Sequence, residues 1–197
     1  MIGNDIVDLN LARCSHRWQN YRFIEKIFSL KEQKLISKWI DPFQCIWRLW
    51  SMKESAYKSH LRSFGKTFFS PSKFECRLFS TTEGMVTISD QQYRVTTVMG
   101  KEFIYSIAFS NKAKTTVSDY FRIKETSYMS QHSKTYAGLI LTFSNIYGMK
   151  ASQLNVKKNE LGIPCMYYQN QALRIPISLT HHGHYCAYVI EPKTVVF

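Results

Sequence analysis

The stretch Trp47-Arg48-Leu49-Trp50-Ser51-Met52-Lys53-Glu54-Ser55-Ala56-Tyr57-Lys58 limits what the chain can fold into more than any other. It lies in the most helical segment, Cys45 to Phe64, with Gly65 placed as a C-terminal cap. At about 100° per residue, Glu54 and Lys58 share a face with Trp47, Trp50, Tyr57 and Leu61. A carboxylate held among large apolar groups is costly unless its charge is compensated. Taken alone, Glu54 and Lys58 at i,i+4 are an ordinary surface ion pair worth about 0.3–0.5 kcal/mol. The aromatic company points instead to a buried helix carrying a charged site.

A partner for Glu54 is found near the start. Ile2 to Leu9 alternates like a short strand whose one face carries Gly3, Asp5, Val7 and Leu9. Asp5 therefore shares its side with apolar neighbours. Two carboxylates from different elements, with phosphate oxygens and water, suit magnesium, which keeps waters and rarely takes an all-protein cage.

Around these elements the periodicity predicts a helix-like stretch from Trp18 to Trp39, ended by Asp41-Pro42. Short strands follow at Phe74–Phe79, Met85–Ile88, Tyr93–Val98 and Phe103–Phe109. Asn111 to Val117 is polar and basic, the best candidate for a linker. Beyond it a helix is expected over Ser133–Tyr147, then strands at Leu154–Lys157, Cys165–Tyr168, Leu173–Leu179 and Cys186–Ile190, with Thr180 to His184 as a polar turn. Phe74-Glu75-Cys76-Arg77 leading to Gly84-Met85-Val86 parallels Leu154-Asn155-Val156-Lys157 leading to Gly162-Ile163-Pro164. This weak internal repeat suits two related halves. The fold class expected is α+β, with two similar halves (1–110 and 111–197), each a small antiparallel sheet packed with a long helix.

The net charge of +12 calls for an acidic partner. Sixteen basic against ten acidic residues lie up to Ser110, and ten against four beyond it, so each part carries +6. A charge so evenly spread resembles no nucleic-acid-binding arm. Five scattered cysteines without a C-x-x-C pair read as reduced thiols, mostly in the core. The N-terminus lacks the features of a signal peptide, and the longest apolar stretch is too short to span a bilayer. A cytoplasmic protein that binds neither membrane nor nucleic acid is expected. His181, His182 and His184 lie in too tight a turn to face one zinc ion, and no cysteine pair supports one, so His182 and His184 are read as exposed turn polarity. For Lys53 a solvated side chain is the default on sequence alone.

At these residues the chain resembles the 4′-phosphopantetheinyl transferase superfamily. Gly3-Asn4-Asp5-Ile6-Val7-Asp8-Leu9 is similar to its G-x-D-I metal motif, and Trp50 to Lys58 to its W-x-x-K-E-x-x-x-K helix. Phe23 to Ser29 lies between them, where the family has an F-x-x-x-I-[FL]-[ST] element. Gly162-Ile163-Pro164 and Ile177-Ser178-Leu179-Thr180-His181 resemble a G-K-P turn and a strand ending in [ST]-H. The metal-motif half comes first, as in the small holo-acyl-carrier-protein synthases; the longer, surfactin-synthetase-activating type has the reverse order. The resemblance implies a permuted pseudo-dimer, monomeric with pseudo-two-fold symmetry. The activity it implies moves the phosphopantetheine arm of coenzyme A to a serine of an acidic acyl or peptidyl carrier protein. Asp5 and Glu54 would hold Mg²⁺, with Asp5, Glu54 and Lys58 catalytic; Lys58, Ser178, Thr180, His181 and Lys134 would bind coenzyme A. In relatives Lys53 helps to orient the motif. Val7 stands where the longer type has an acidic ligand, leaving water or Asp8 to serve, and Ile163 replaces the lysine of G-K-P. The alternatives are a non-catalytic coenzyme A- or nucleotide-binding relative and a basic nucleic-acid-binding domain.

Overall fold

The computed structural model describes residues 1–65, 70–110 and 115–193. Strand β1 (Ile2–Asp8) opens the chain. Asp8 then caps the short helix α1 (Leu9–Cys14), which the sequence did not announce, by accepting from the backbone of Asn10 and Leu11. The stretch expected as one helix over Trp18–Trp39 is broken. A 3₁₀ turn at Arg17–Gln19 precedes α2 (Tyr21–Ile27) and α3 (Leu30–Lys38). The break lies at Ser29, which forms a reciprocal capping box with Glu32 and so starts a new helix. Helix α4 (Pro42–Phe64) begins with Pro42 in its first turn behind the cap Asp41, so that dipeptide starts the helix instead of only ending the previous segment.

Four strands complete the first half: β2 (Glu75–Leu78), β3 (Glu83–Ile88), β4 (Gln91–Met99) and β5 (Phe103–Phe109). The sheet order is β1-β5-β4-β3-β2, all neighbours antiparallel. Most of the expected linker, 111–114, falls outside the described residues, and Val117 already belongs to β6 (Val117–Arg122). Helix α5 (Tyr128–Tyr147) starts five residues earlier than its periodicity indicated, because Ser127 caps it. Then come β7 (Leu154–Lys158), β8 (Pro164–Tyr168), β9 (Gln171–Ala172), β10 (Ile177–His182) and β11 (Tyr185–Ile190).

These strands pair as β6-β11-β10 and β9-β8-β7. The order repeats that of the first half, with the counterpart of β4 split into β9 and β10 around Leu173–Pro176. Pro176 cannot donate to a ladder, which suits a break there. The sequence parallel noted above falls on the equivalent hairpins β2–β3 and β7–β8. The chain is α+β, with α4 packed on the first sheet and α5 on β10 and β11.

Three cores result. One lies between α4 and the first sheet, one beneath α5, and a third, from Ile2, Ile6, Ile107, Tyr185 and Val189, where β1 and β5 meet β11. Cys45, Cys76 and Cys186 are core residues and Cys14 is exposed. No helix among the described residues is long and apolar enough to cross a membrane.

Lys53 is not solvated. Its side chain is fully buried, with Nζ 2.8 Å from Glu32 Oε2 and donating to the carbonyls of Pro71 and Phe74. The other Glu32 oxygen accepts from the backbone of Cys76 at 2.8 Å. The pair thus joins α3, α4 and the entry to β2. Removing one member of a buried pair leaves an uncompensated charge, a cost of about 3–5 kcal/mol. Lys53→Met is therefore expected to lower stability by that amount in denaturant titration. Glu32→Leu/Lys53→Met should lose much less than the sum of the two single variants. A loss under about 1 kcal/mol for Lys53→Met would show that the pair is not what fixes these elements.

Candidate active site

Asp5 sits at the middle of β1, which runs over α4 so closely that a Cβ on Gly3 would lie 2.2 Å from the Ser55 carbonyl oxygen. Only glycine permits this approach. Lys58 Nζ donates to the Asn4 carbonyl at 2.8 Å and to Asp5 Oδ1 at 3.4 Å. Thr180 Oγ1 donates to the same carboxylate oxygen at 3.2 Å. The second oxygen, Oδ2, is buried without a hydrogen-bond partner.

Glu54 shares this environment. Burial is the largest cause pushing its carboxyl up to about 7, the negative charge of Asp5 adds to the shift, and Lys58 opposes it. The charges of Asp5 and Lys58 thus both act on Glu54, in opposite directions. Two carboxylates acting on each other with one ammonium between them are short of positive charge, and one carboxylate oxygen, Asp5 Oδ2, has no hydrogen-bond partner. This donor set fits a hard divalent cation. Asp8 and Val7 add nothing to it. Both oxygens of Asp8 are engaged, one capping α1 and the other accepting from the His184 backbone, and Val7 is packed into the core under α4.

A cleft of about 380 Å³ opens from Asp5 and Lys58 between α4, α5, β10 and the β7–β8 turn. Ser178, Thr180 and His181 line it, as do Gly162, Ile163 and Pro164. Lys134 does not. From α5 the lining residues are Tyr128, His132, Thr135 and Tyr136, at helical spacing, and Lys134 lies on the exposed side of the helix. Sequence reasoning missed two cations of this cleft, Arg62 and Lys158. Arg62 continues the α4 face of Glu54 and Lys58 by one more turn and was legible there. Its guanidinium donates to the carbonyls of Pro164 and Ile177, tying α4 to the second half. Lys158 gave no sequence signal beyond its charge.

Strand β10 runs through the expected polar turn, so the histidines differ in duty. His181 faces the cleft, and its pKa is lowered by burial first and then by Lys58, His132, Lys158 and His182. His182 Nδ1 accepts from the Asp8 backbone N–H at 2.9 Å, and burial lowers its pKa against the pull of Asp5 and Asp8. His184 Nδ1 lies 3.0 Å from the Ile123 carbonyl. His182 and His184 are therefore structural ties and not exposed turn residues. Thr180 also differs from expectation. Its hydroxyl accepts from the Ile6 backbone at 3.4 Å and spends its proton on Asp5, so it positions the carboxylate.

A second hollow of about 450 Å³ lies further back along α4, lined by Leu11, Phe23, Trp47, Trp50 and His182. The α4 face thus runs from an aromatic hollow, past Glu54, to Lys58 and Arg62 at the cationic cleft.

Among solved structures, the holo-[acyl-carrier-protein] synthase (AcpS) of Thermotoga maritima is similar at 12% identity and a TM-score of 0.44, with 98% of this chain and 83% of that one covered. No curated protein matches the chain. A family model described as 4′-phosphopantetheinyl transferase superfamily matches residues 1–108, more than half of the sequence, and spans Asp5, Glu54 and Lys58. The chain belongs to the 4′-phosphopantetheinyl transferase superfamily.

Proposed function

We propose that this chain transfers the 4′-phosphopantetheine arm of coenzyme A to a serine hydroxyl of an apo carrier protein, releasing 3′,5′-ADP. The observation that carries this reading is the buried, unpartnered Oδ2 of Asp5, which lines a cationic cleft and whose charge helps to raise Glu54 to about 7. Asp5 and Glu54 hold Mg²⁺, which when bound supplies charge neutralisation for the diphosphate. Lys58 has three N–H donors; the Asn4 carbonyl and Asp5 take two, leaving one for a phosphate oxygen. As the serine hydroxyl attacks the β-phosphate, its proton passes to Glu54 or to a water beside it. His181 and Ser178 receive the 3′-phosphate of the nucleotide, while Thr180 holds Asp5 in place. The two halves act as a pseudo-dimer, residues 1–110 giving the metal end and 111–197 the nucleotide end.

The +12 charge suits a carrier protein that is acidic, docked by electrostatic steering. A coenzyme A-binding relative without activity is the second reading. It is disfavoured because the compensated Asp5–Lys58–Thr180 arrangement serves no packing purpose that an apolar trio would not serve better.

Incubation of an apo carrier protein with coenzyme A and Mg²⁺ should add the mass of one phosphopantetheine arm. Asp5→Asn and Glu54→Gln should each reduce the rate by about 10²-fold or more, and Lys58→Ala by about 10²-fold. Wild-type protein that binds coenzyme A but modifies none of the acyl or peptidyl carriers would favour the inactive relative.

The raised Glu54 carboxyl gives a second test that needs no carrier. Its ordinary value is 4.5 and its folded value about 7, so the folded chain keeps a proton that the unfolded chain gives up between them. Stability is therefore lost as pH rises through that window. Without metal, Glu54→Gln should be more stable than wild type at pH ~8, by on the order of 2–3 kcal/mol, with the advantage vanishing near pH ~5. Mg²⁺ should raise the melting temperature of wild type at pH ~8 and not that of the variant. An advantage of equal size at both pH values would falsify this assignment.

A further inference from the structure

The far end of the cleft, away from Asp5, has its own electrostatic character. Every charged group that acts on His181 is cationic: Lys58, His132, Lys158 and His182. No carboxylate is among them, and among the described residues Asp5 is the one acid that lines the cleft. Asp5 is already bonded to Lys58 and Thr180. A group of cations in a concave, half-buried place with no acid of its own is complementary to an anion. The walls add flat rings. His132 lies 3.9 Å from Tyr136, and Tyr128 packs on both His132 and His181.

The hairpin β7–β8 closes this end. Its turn brings Gly162, Ile163 and Pro164 to the cleft, and Ile163 fills its position with an apolar, buried side chain. The turn residues that line the cleft therefore bring no charge to it, and the one charged residue of the turn, Glu160, is not among the lining residues. Lys158 stands directly across the hairpin from Pro164 and lines the same cleft. It makes no hydrogen bond or ion pair with the described residues. Its neighbour Lys157 is committed elsewhere, 5.2 Å over the ring of Tyr167. Successive residues of a strand face opposite sides, so only one of these two lysines can serve the cleft.

Given the reading of coenzyme A as donor, on which this step rests, we propose that Lys158 is a nucleotide-binding residue. With His181 and His132 it forms the subsite that recognises the 3′-phosphate, supplying from β7 the cation that Ile163 cannot supply from the turn. Lys58 serves the diphosphate at the other end, so each phosphate group meets its own lysine. Lys158 thereby distinguishes a nucleotide that bears a 3′-phosphate from one that lacks it.

Calorimetric titration of the full chain with 3′,5′-ADP and with 5′-AMP, which lacks the 3′-phosphate, tests the assignment. Wild type should prefer 3′,5′-ADP. Lys158→Ala should reduce that preference about tenfold, the scale of one charge-assisted hydrogen bond, with 5′-AMP affinity unchanged. Lys158→Arg should retain most of it. Lys157→Ala, which removes the same charge from the neighbouring position, should leave it intact. The assignment to Lys158 is overturned, with the coenzyme A reading standing, if wild type shows the preference and Lys158→Ala keeps it. Equal losses for Lys157→Ala and Lys158→Ala would also overturn it, since net charge alone would then explain the effect. If wild type shows no preference for 3′,5′-ADP, the coenzyme A reading falls together with it.

Discussion

Strand β1 lies at the edge of its own sheet, yet three of its outward backbone donors are answered by side chains. The N–H groups of Asn4, Ile6 and Asp8, which point away from β5, are accepted by Ser178 Oγ, Thr180 Oγ1 and His182 Nδ1 of β10. Those partners are 174 residues away in each case, and they alternate along β10 as the donors alternate along β1. A buried donor left unpaired costs about 1–3 kcal/mol, so three of them fix the register of the two halves firmly. Side chains, and not a continued backbone ladder, make this seam. The same strand passes over α4 at Gly3, and its Asn4 and Asp5 carbonyl oxygens accept from Lys58 and Ser51. Everything that places Asp5 follows from these contacts.

Two adjacent residues of α4 show how one helix divides structural from chemical charge. Lys53 points into the protein and has its counter-ion and two carbonyls. Glu54, about 100° further round, meets another acid and has a carboxyl raised by burial. The first arrangement is saturated and tolerates no newcomer. The second is short of positive charge, and a bound cation would relieve it.

How much of this was legible in the sequence follows from what each inference needed. Pairing Asp5 with the Glu54–Lys58 face of α4 required only two periodicities and the cost of a carboxylate among aromatics; the structure shows the Asp5–Lys58 contact and an effect of both charges on Glu54. The break at Ser29 was visible as S-x-x-E, but the apolar spacing on both sides is continuous enough to hide it. The histidines went astray for another reason. A polar run reads as a turn, yet β10 uses His182 as an acceptor, a role that depends on a strand far away in sequence. Lys134 and Lys158 could not be ranked without knowing which side of α5, and which register of β7, faces the cleft. Pairing across long separations decides such questions, and local pattern carries no trace of it.

Thr180 carries a last implication. One hydroxyl accepts from the backbone of Ile6 and donates to the carboxylate of Asp5. Docking of the carboxyl-terminal part is thus coupled atom by atom to the carboxylate of Asp5. A chain whose second part has not yet come to rest would have the Asp5 carboxylate held by Lys58 without Thr180, and its cleft without a far wall. Assembly of the site and docking of the distant β10 are therefore a single event in this chain.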